Sequence, residues 1–215
     1  INNVRAMLLN SGDMWWDRDR AKYGVPKLPL EQLQAGVRQV APIFAGAIWV
    51  SGKNQGNLLM AAIRFSSEGK QFWPGPIVVD GGGNAADPNA KQCNKFDRFW
   101  KVNRQDIENA INGVSISDAI RFWPGKGNVE LTSAAGGFTI EELDMNLAPF
   151  YDKPDPITGV SDGIYNPNDG DYPTIKYTTD RTKAAYADEM IFWVINDAGN
   201  AHIVPDAAQV GVQMN

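Results

Sequence analysis

Cysteine occurs once in 215 residues, as Cys93, and histidine once, as His202. A single thiol excludes an intrachain disulfide and any zinc site built from cysteines, and a single imidazole excludes a His-rich metal site. No basic cluster of four or more residues interrupts a net charge of −5. The positive field that tracks a nucleic-acid backbone is therefore missing. No apolar run approaches the roughly 20 residues needed to cross a bilayer. The glycine run "DGGGN" at 80–84 has no helix behind it, and no Walker, G-x-G-x-x-G or G-x-S-x-G stretch is present, so phosphate binding and the serine-elbow hydrolases have no support. Initiator methionine and signal peptide are absent from the strand-like opening "INNVRAMLLN", which reads as a processed or trimmed product. The last residues, "AQVGVQMN", alternate like a strand and stop without a terminating signal, which reads as a chain that continues in its full-length form.

What is abundant is aromatic and turn-forming. Seven Trp, six Tyr and nine Phe accompany 13 Pro and 21 Gly, a mixture suited to short strands joined by turns. A chain of this length can hide roughly 70% of its unfolded surface without any cross-link. "VRAMLLNSGDMWWD" predicts a strand and a turn at Ser11-Gly12-Asp13. Ile43–Val50 and Asn57–Phe65 read as a hairpin around a turn at Ser51–Gly56, apolar enough to be covered on both faces. Met190–Ile195 predicts a strand, Asn196–Asn200 a turn, and the return strand starts near Ala201. Two short helices are expected near 104–112 and 116–122. Asn103 caps the first and Gly113 follows it; Ser115 or Ser117 caps the second and Pro124 stops it. The tetrapeptide "FWPG" occurs at 72–75 and 122–125, once ending a strand and once ending a helix, and reads as an aromatic anchor used twice. The fold expected is a single mainly β domain over 1–215, an antiparallel β-sandwich-like arrangement with two short helices and long Pro/Asp/Gly-rich loops.

Few residues point to chemistry. Cys93 has no flanking histidine and reads as inert, and His202 reads as a hydrogen-bonded surface residue. Asp97, Asp106, Glu141, Glu142 and Asp144 are the acids from which a glycosidase pair would be drawn, and each stands in an ordinary setting. The tryptophans sit in apolar segments and read mainly as core, with a sugar-stacking platform as the alternative. The densest polar stretch lies in the long loop 150–182 and contains "SDGIYNPNDGDYP" at 161–173. Calcium takes oxygens from flexible Asp/Asn/Gly loops, and in the EF-type spacing Asp162, Gly163 and Asp169 fit while Thr158 and Val160 do not. Asp152, Asp155, Asp162, Asp169 and Asp171 are the calcium candidates. The competing reading is a proline-braced loop whose aspartates bond their own backbone amides.

The ordered set "INNVRAMLLNSGDMWWD", "IFAGAIWVSGK", "FWPGP", "CNKFDRFWKVNRQDIE", "APFYD", "DGIYNPNDGDYP" and "FWVINDAGNAH" resembles the N-terminal region of large secreted proteins of Bacteroidota exported by the type IX secretion system. The resemblance spans nearly the whole chain. It implies a removed signal peptide, a missing C-terminal sorting domain, and an extracellular or outer-surface location. It also implies a non-enzymatic structural or adhesive role. The partners implied are other copies of the protein or the rest of its own chain, and possible ligands include surface glycans. In that family the acidic loop runs Asp-x-Asn-Gly-Asp-Gly-x-Tyr after the "APF" element; Asp152 and Asp162-Gly163 match it, and the spacer "KPDPITGVS" is longer. A carbohydrate-binding module using exposed tryptophans and a hydrolase using paired carboxylates are the rival expectations.

Overall fold

The computed structural model describes residues 3–17, 20–54, 56–62, 72–77, 94–132, 137–145 and 147–197. Cys93, His202, the 80–84 glycine run, and the turn and return strand expected after Asp197 lie outside them. Within the single domain expected, the chain divides into two compact units, 1–97 with 194–215 and 98–193. Strand exceeds helix, and every described sheet is an antiparallel pair of strands.

In the first unit the pairs are Arg5–Ala6 with Tyr23–Gly24, Asp13–Met14 with Gly46–Ala47, Trp16–Asp17 with Arg20–Ala21, Trp49–Asn54 with Asn57–Ala62, and Trp73–Pro74 with Ile195–Asn196. The turn expected at Ser11-Gly12-Asp13 is present: the Leu9 amide donates to Asp13 O, the Gly12 amide donates to Leu9 O, and Gly12 has φ 87°. Directly after it Trp15 takes φ 66°, rare for a bulky residue. Its ring lies against Gly46, where a β-carbon would stand 2.6 Å from Cζ3, and meets Tyr23 edge-on at 5.1 Å. A short helix, α1, spans Leu30–Gln34.

The expected hairpin exists with its strands shifted. Pairing runs from Trp49↔Ala62 to Asn54↔Asn57, so Ser51–Asn54 belong to the strand and not to the turn. Polar residues can carry a ladder when they face solvent, and Ser51 and Lys53 are exposed. The expectation of two covered faces is corrected here. Ala61 is fully buried, packed with Phe72, Ala47, Ile48 and Ile195, whereas Trp49 is 73% exposed and Leu58 50%.

The second unit holds the larger aromatic core. Trp100–Asn103 pairs with Glu189–Phe192, and Phe150–Tyr151 with Tyr172–Pro173. Helix α2 spans Arg104–Ile111 and α3 Asp118–Arg121, within a residue or two of expectation. Asn103 and Asp106 form a reciprocal capping box on α2, as Thr139 and Glu142 do on α4, Ile140–Leu143. Met190–Ile195 is not one strand: pairing to Trp100–Asn103 stops at Phe192, and Ile195–Asn196 pairs elsewhere in sequence.

Trp123 is 2% exposed and donates Nε1–H to Pro149 O at 3.1 Å, which satisfies its one polar atom inside the core. Buried Tyr165 donates its hydroxyl to Ile120 O at 2.7 Å and meets Phe150 edge-on at 5.3 Å. Gly125 completes the second "FWPG" copy, and a β-carbon there would stand 2.6 Å from Tyr165 Cβ. The aromatic anchor thus needs its glycine as a place for a second ring. The first copy uses its residues differently, with Phe72 buried and Trp73–Pro74 in a strand.

Candidate functional site

The strand pair Phe150–Tyr151 and Tyr172–Pro173 brings the two ends of the long loop together. Between them, residues 152–171 form a compact surface loop around a cleft of about 420 Å³. All five calcium candidates, Asp152, Asp155, Asp162, Asp169 and Asp171, line that cleft, with Lys153, Asn168, Val160 and the rings of Pro154 and Pro156.

Each carboxylate is engaged by the chain around it. Asp171, 3% exposed, accepts the Lys153 amide on Oδ1 and the Asn166 amide on Oδ2, both at 2.8 Å. Asp152, 1% exposed, accepts the Gly163 amide at 2.9 Å and the Tyr177 hydroxyl at 2.7 Å on Oδ2. Gly163 has φ 75°, a conformation that lets its amide turn inward. Asp155 Oδ1 accepts the amides of Ile157 and Thr158 and the Thr158 hydroxyl. Asp162 accepts the Ile164 amide two residues on. Asp169 accepts Asn166 Nδ2 at 2.6 Å. Asp155 and Asp162 are Asx turns, the local geometry that Asp adopts in irregular backbone.

These settings separate the aspartates electrically. Burial pushes the Asp171 carboxyl up to about 6, against the two amides that favour its ionised form, with the charges of Asp152 and Asp162 adding to the rise. Burial, then the hydrogen bond to Asp152 and its charge, lifts the Tyr177 phenol to about 12. The Thr158 amide, helped by the Ile157 amide and the Thr158 hydroxyl, holds Asp155 below the usual carboxylate range.

Calcium takes roughly 6–8 oxygens. Here both oxygens of Asp171 and one oxygen of each other candidate already accept N–H or O–H groups. Among the described residues, no three His, Cys, Asp or Glu side chains are grouped so as to hold a metal ion. A cation entering this cleft has to compete with backbone amides for its ligands.

Most of the acids considered for a hydrolytic pair are in local use. Asp97 accepts Asn10 Nδ2, Asp106 and Glu142 close capping boxes, Glu141 is hydrogen-bonded to Thr139, and Asp144 follows the last turn of α4. Three participants in the loop, Tyr177, Asn166 and Lys153, were not singled out from the sequence; their roles depend on which amides the folded loop presents. No family model, curated protein or solved structure matches this chain.

Proposed function

We propose that this chain is a non-enzymatic extracellular domain that builds or decorates a surface assembly, of the kind exported by type IX secretion in Bacteroidota. The observation that carries the reading is the commitment of the cleft aspartates to the protein's own amides and hydroxyls. Such a cleft serves shape before chemistry. The loop exposes aliphatic side chains, Ile157 at 92% and Val160, on the cleft wall, at 67%, on a backbone fixed by Asx turns. That combination suits a rigid contact surface. Beneath it, the aromatic core around Trp123, Phe150 and Tyr165 supplies stiffness.

The two-layer sandwich belongs to the same reading. The two-stranded pairs are extended by strands from neighbouring copies or from the rest of the full-length chain, which covers edges that otherwise template aggregation. The rivals draw less support. A sugar platform needs two or three exposed, coplanar indoles; Trp49 is 73% exposed, whereas Trp100 and Trp123 are 7% and 2% exposed. A hydrolase needs an acid facing substrate, and of the acids considered for one Asp97, Asp106 and Glu142 bond groups of their own chain.

The test is surface labelling. Intact cells that make the protein are treated with a membrane-impermeant amine reagent, and labelling of this chain at the level of known surface proteins is the expected outcome. Labelling only after lysis would contradict the proposed location.

A further inference from the structure

Two tyrosines close the base of the long loop. Tyr151 and Tyr172 stand directly opposite each other where Phe150–Tyr151 pairs with Tyr172–Pro173. Their ring centroids lie 4.9 Å apart, with the planes tilted by 36°. Cross-strand partners are held together by the backbone and touch through their side chains. A third ring extends the row: Tyr186 meets Tyr172 edge-on at 6.2 Å and 89°. Tyr151 and Tyr172 are 6% and 4% exposed, whereas Tyr186 is half-buried. Burial raises the phenols of Tyr151 and Tyr172, which keeps both neutral and hydrogen-bearing at ordinary pH.

We propose that Tyr151 and Tyr172 form an oxidative cross-linking site, joined into dityrosine by a haem peroxidase with hydrogen peroxide, which staples the 152–171 loop at its base. Each phenol gives up one electron and one proton. The two phenoxyl radicals then form a carbon–carbon bond between ring positions ortho to oxygen. Hydrogens on the joined carbons move to the oxygens and restore both hydroxyls. In all the pair loses two hydrogen atoms, and one hydrogen peroxide becomes two waters. Linked phenol rings sit twisted about the new bond, so the 36° tilt suits the product and the perpendicular Tyr172–Tyr186 contact does not. Tyr186 serves instead as the port, half-buried itself and passing the electron vacancy inward through its contact with Tyr172. Phe150 and Pro173, the neighbouring pair, offer no competing phenol. With a single cysteine the chain has no disulfide to close this loop, and a link between the rings restrains the unfolded chain in the same way. The inference rests on the tyrosine geometry and stands apart from the surface role proposed above.

The test treats the whole chain, dilute and folded, with a haem peroxidase and hydrogen peroxide, then unfolds it and cuts before aspartates. Mass spectrometry looks for residues 144–151 joined to 171–179, two hydrogens lighter than the separate peptides. Fragment ions separate Tyr172 from Tyr177 on the second peptide, and oxidation of Tyr177, 46% exposed, shows that the oxidant has reached the chain. The 151–172 link is expected at roughly ten times the yield of any other tyrosine pair, because reactants held together outrun chance encounters. Tyr151→Phe and Tyr172→Phe, which keep the rings, are expected to abolish it, and Tyr186→Phe to slow it severalfold. Chain unfolded in urea before oxidation is expected to lose the preference. Reaction at Tyr177 or between chains without the 151–172 product would overturn the proposal and leave the two rings as packing alone. An equal 151–172 yield from unfolded chain would overturn it too, because the fold then does not select the pair. Tyr186→Phe cross-linking at the wild-type rate overturns the entry route.

Discussion

Tyr177 and Asp152 are 25 positions apart, and the tyrosine hydroxyl donates to Asp152 Oδ2 at 2.7 Å. The same oxygen accepts the Gly163 amide, so one buried carboxylate ties the loop to the segment that follows it. Tyr177→Phe removes the hydroxyl and keeps the ring, which meets Phe150 edge-on at 5.2 Å. Loss of a hydrogen bond to a buried charge costs about 1–3 kcal/mol. Urea unfolding followed by tryptophan fluorescence should show a lower midpoint with an unchanged slope.

Acidity should act on this loop in a direction opposite to ordinary acid denaturation. Asp171 has its folded value raised to about 6, above the unfolded value of about 3.9. Its contribution to stability is present in full below the unfolded value and is lost as pH rises through about 6. Asp155 and Asp188 are shifted downward, so their contributions are lost only on acidification below the normal carboxylate range. Between pH 7.5 and pH 5 the Asp171 effect dominates, with stability rising on the order of 1 kcal/mol. Asp171→Asn should be less stable at pH 5 and should flatten the profile in that window. A wild-type profile that falls from pH 7.5 to pH 5 contradicts the assignment.

Trp123 anchors the second unit, so Trp123→Ala should cost about 3–5 kcal/mol by thermal or chemical unfolding. Ile157→Ala, at a site 92% exposed, should fall within about 0.5 kcal/mol of wild type. The contrast separates core from contact surface.

Gly125→Ala should destabilise by about 1–3 kcal/mol, because its β-carbon would stand 2.6 Å from Tyr165 Cβ, close to the backbone and unable to swing aside. Near-UV circular dichroism should change with it, since Tyr165 must move.

Legibility followed locality. Helix α2 was readable because Asn103 caps it, and the Ser11–Asp13 turn because Gly12 tolerates its positive φ; α3 starts after Ser117 as expected, but the Ser117 hydroxyl makes no capping hydrogen bond. The hairpin was readable in existence and misread in phase, because Ser51–Asn54 look like a turn and pair as a strand. Trp49 was expected in the core on hydrophobicity alone, and exposure is decided by what packs above it. Pairing of Trp100–Asn103 with Glu189–Phe192 joins segments almost ninety positions apart and has no local signature. In the acidic loop the residues were readable and their use was not. Asp152 and Asp171 reach amides at Gly163, Lys153 and Asn166 only once the loop is closed.

The central claim is that the chain works as a stiff component of a larger surface assembly. The direct measurement is the size of the native full-length protein, gently released from the cells that make it, by electron microscopy and mass photometry. The account predicts ordered multi-copy particles or filaments in which strands are shared between copies or supplied by the rest of the chain. Isolated, fully solvated monomers with no strand contributed from outside this segment would contradict it.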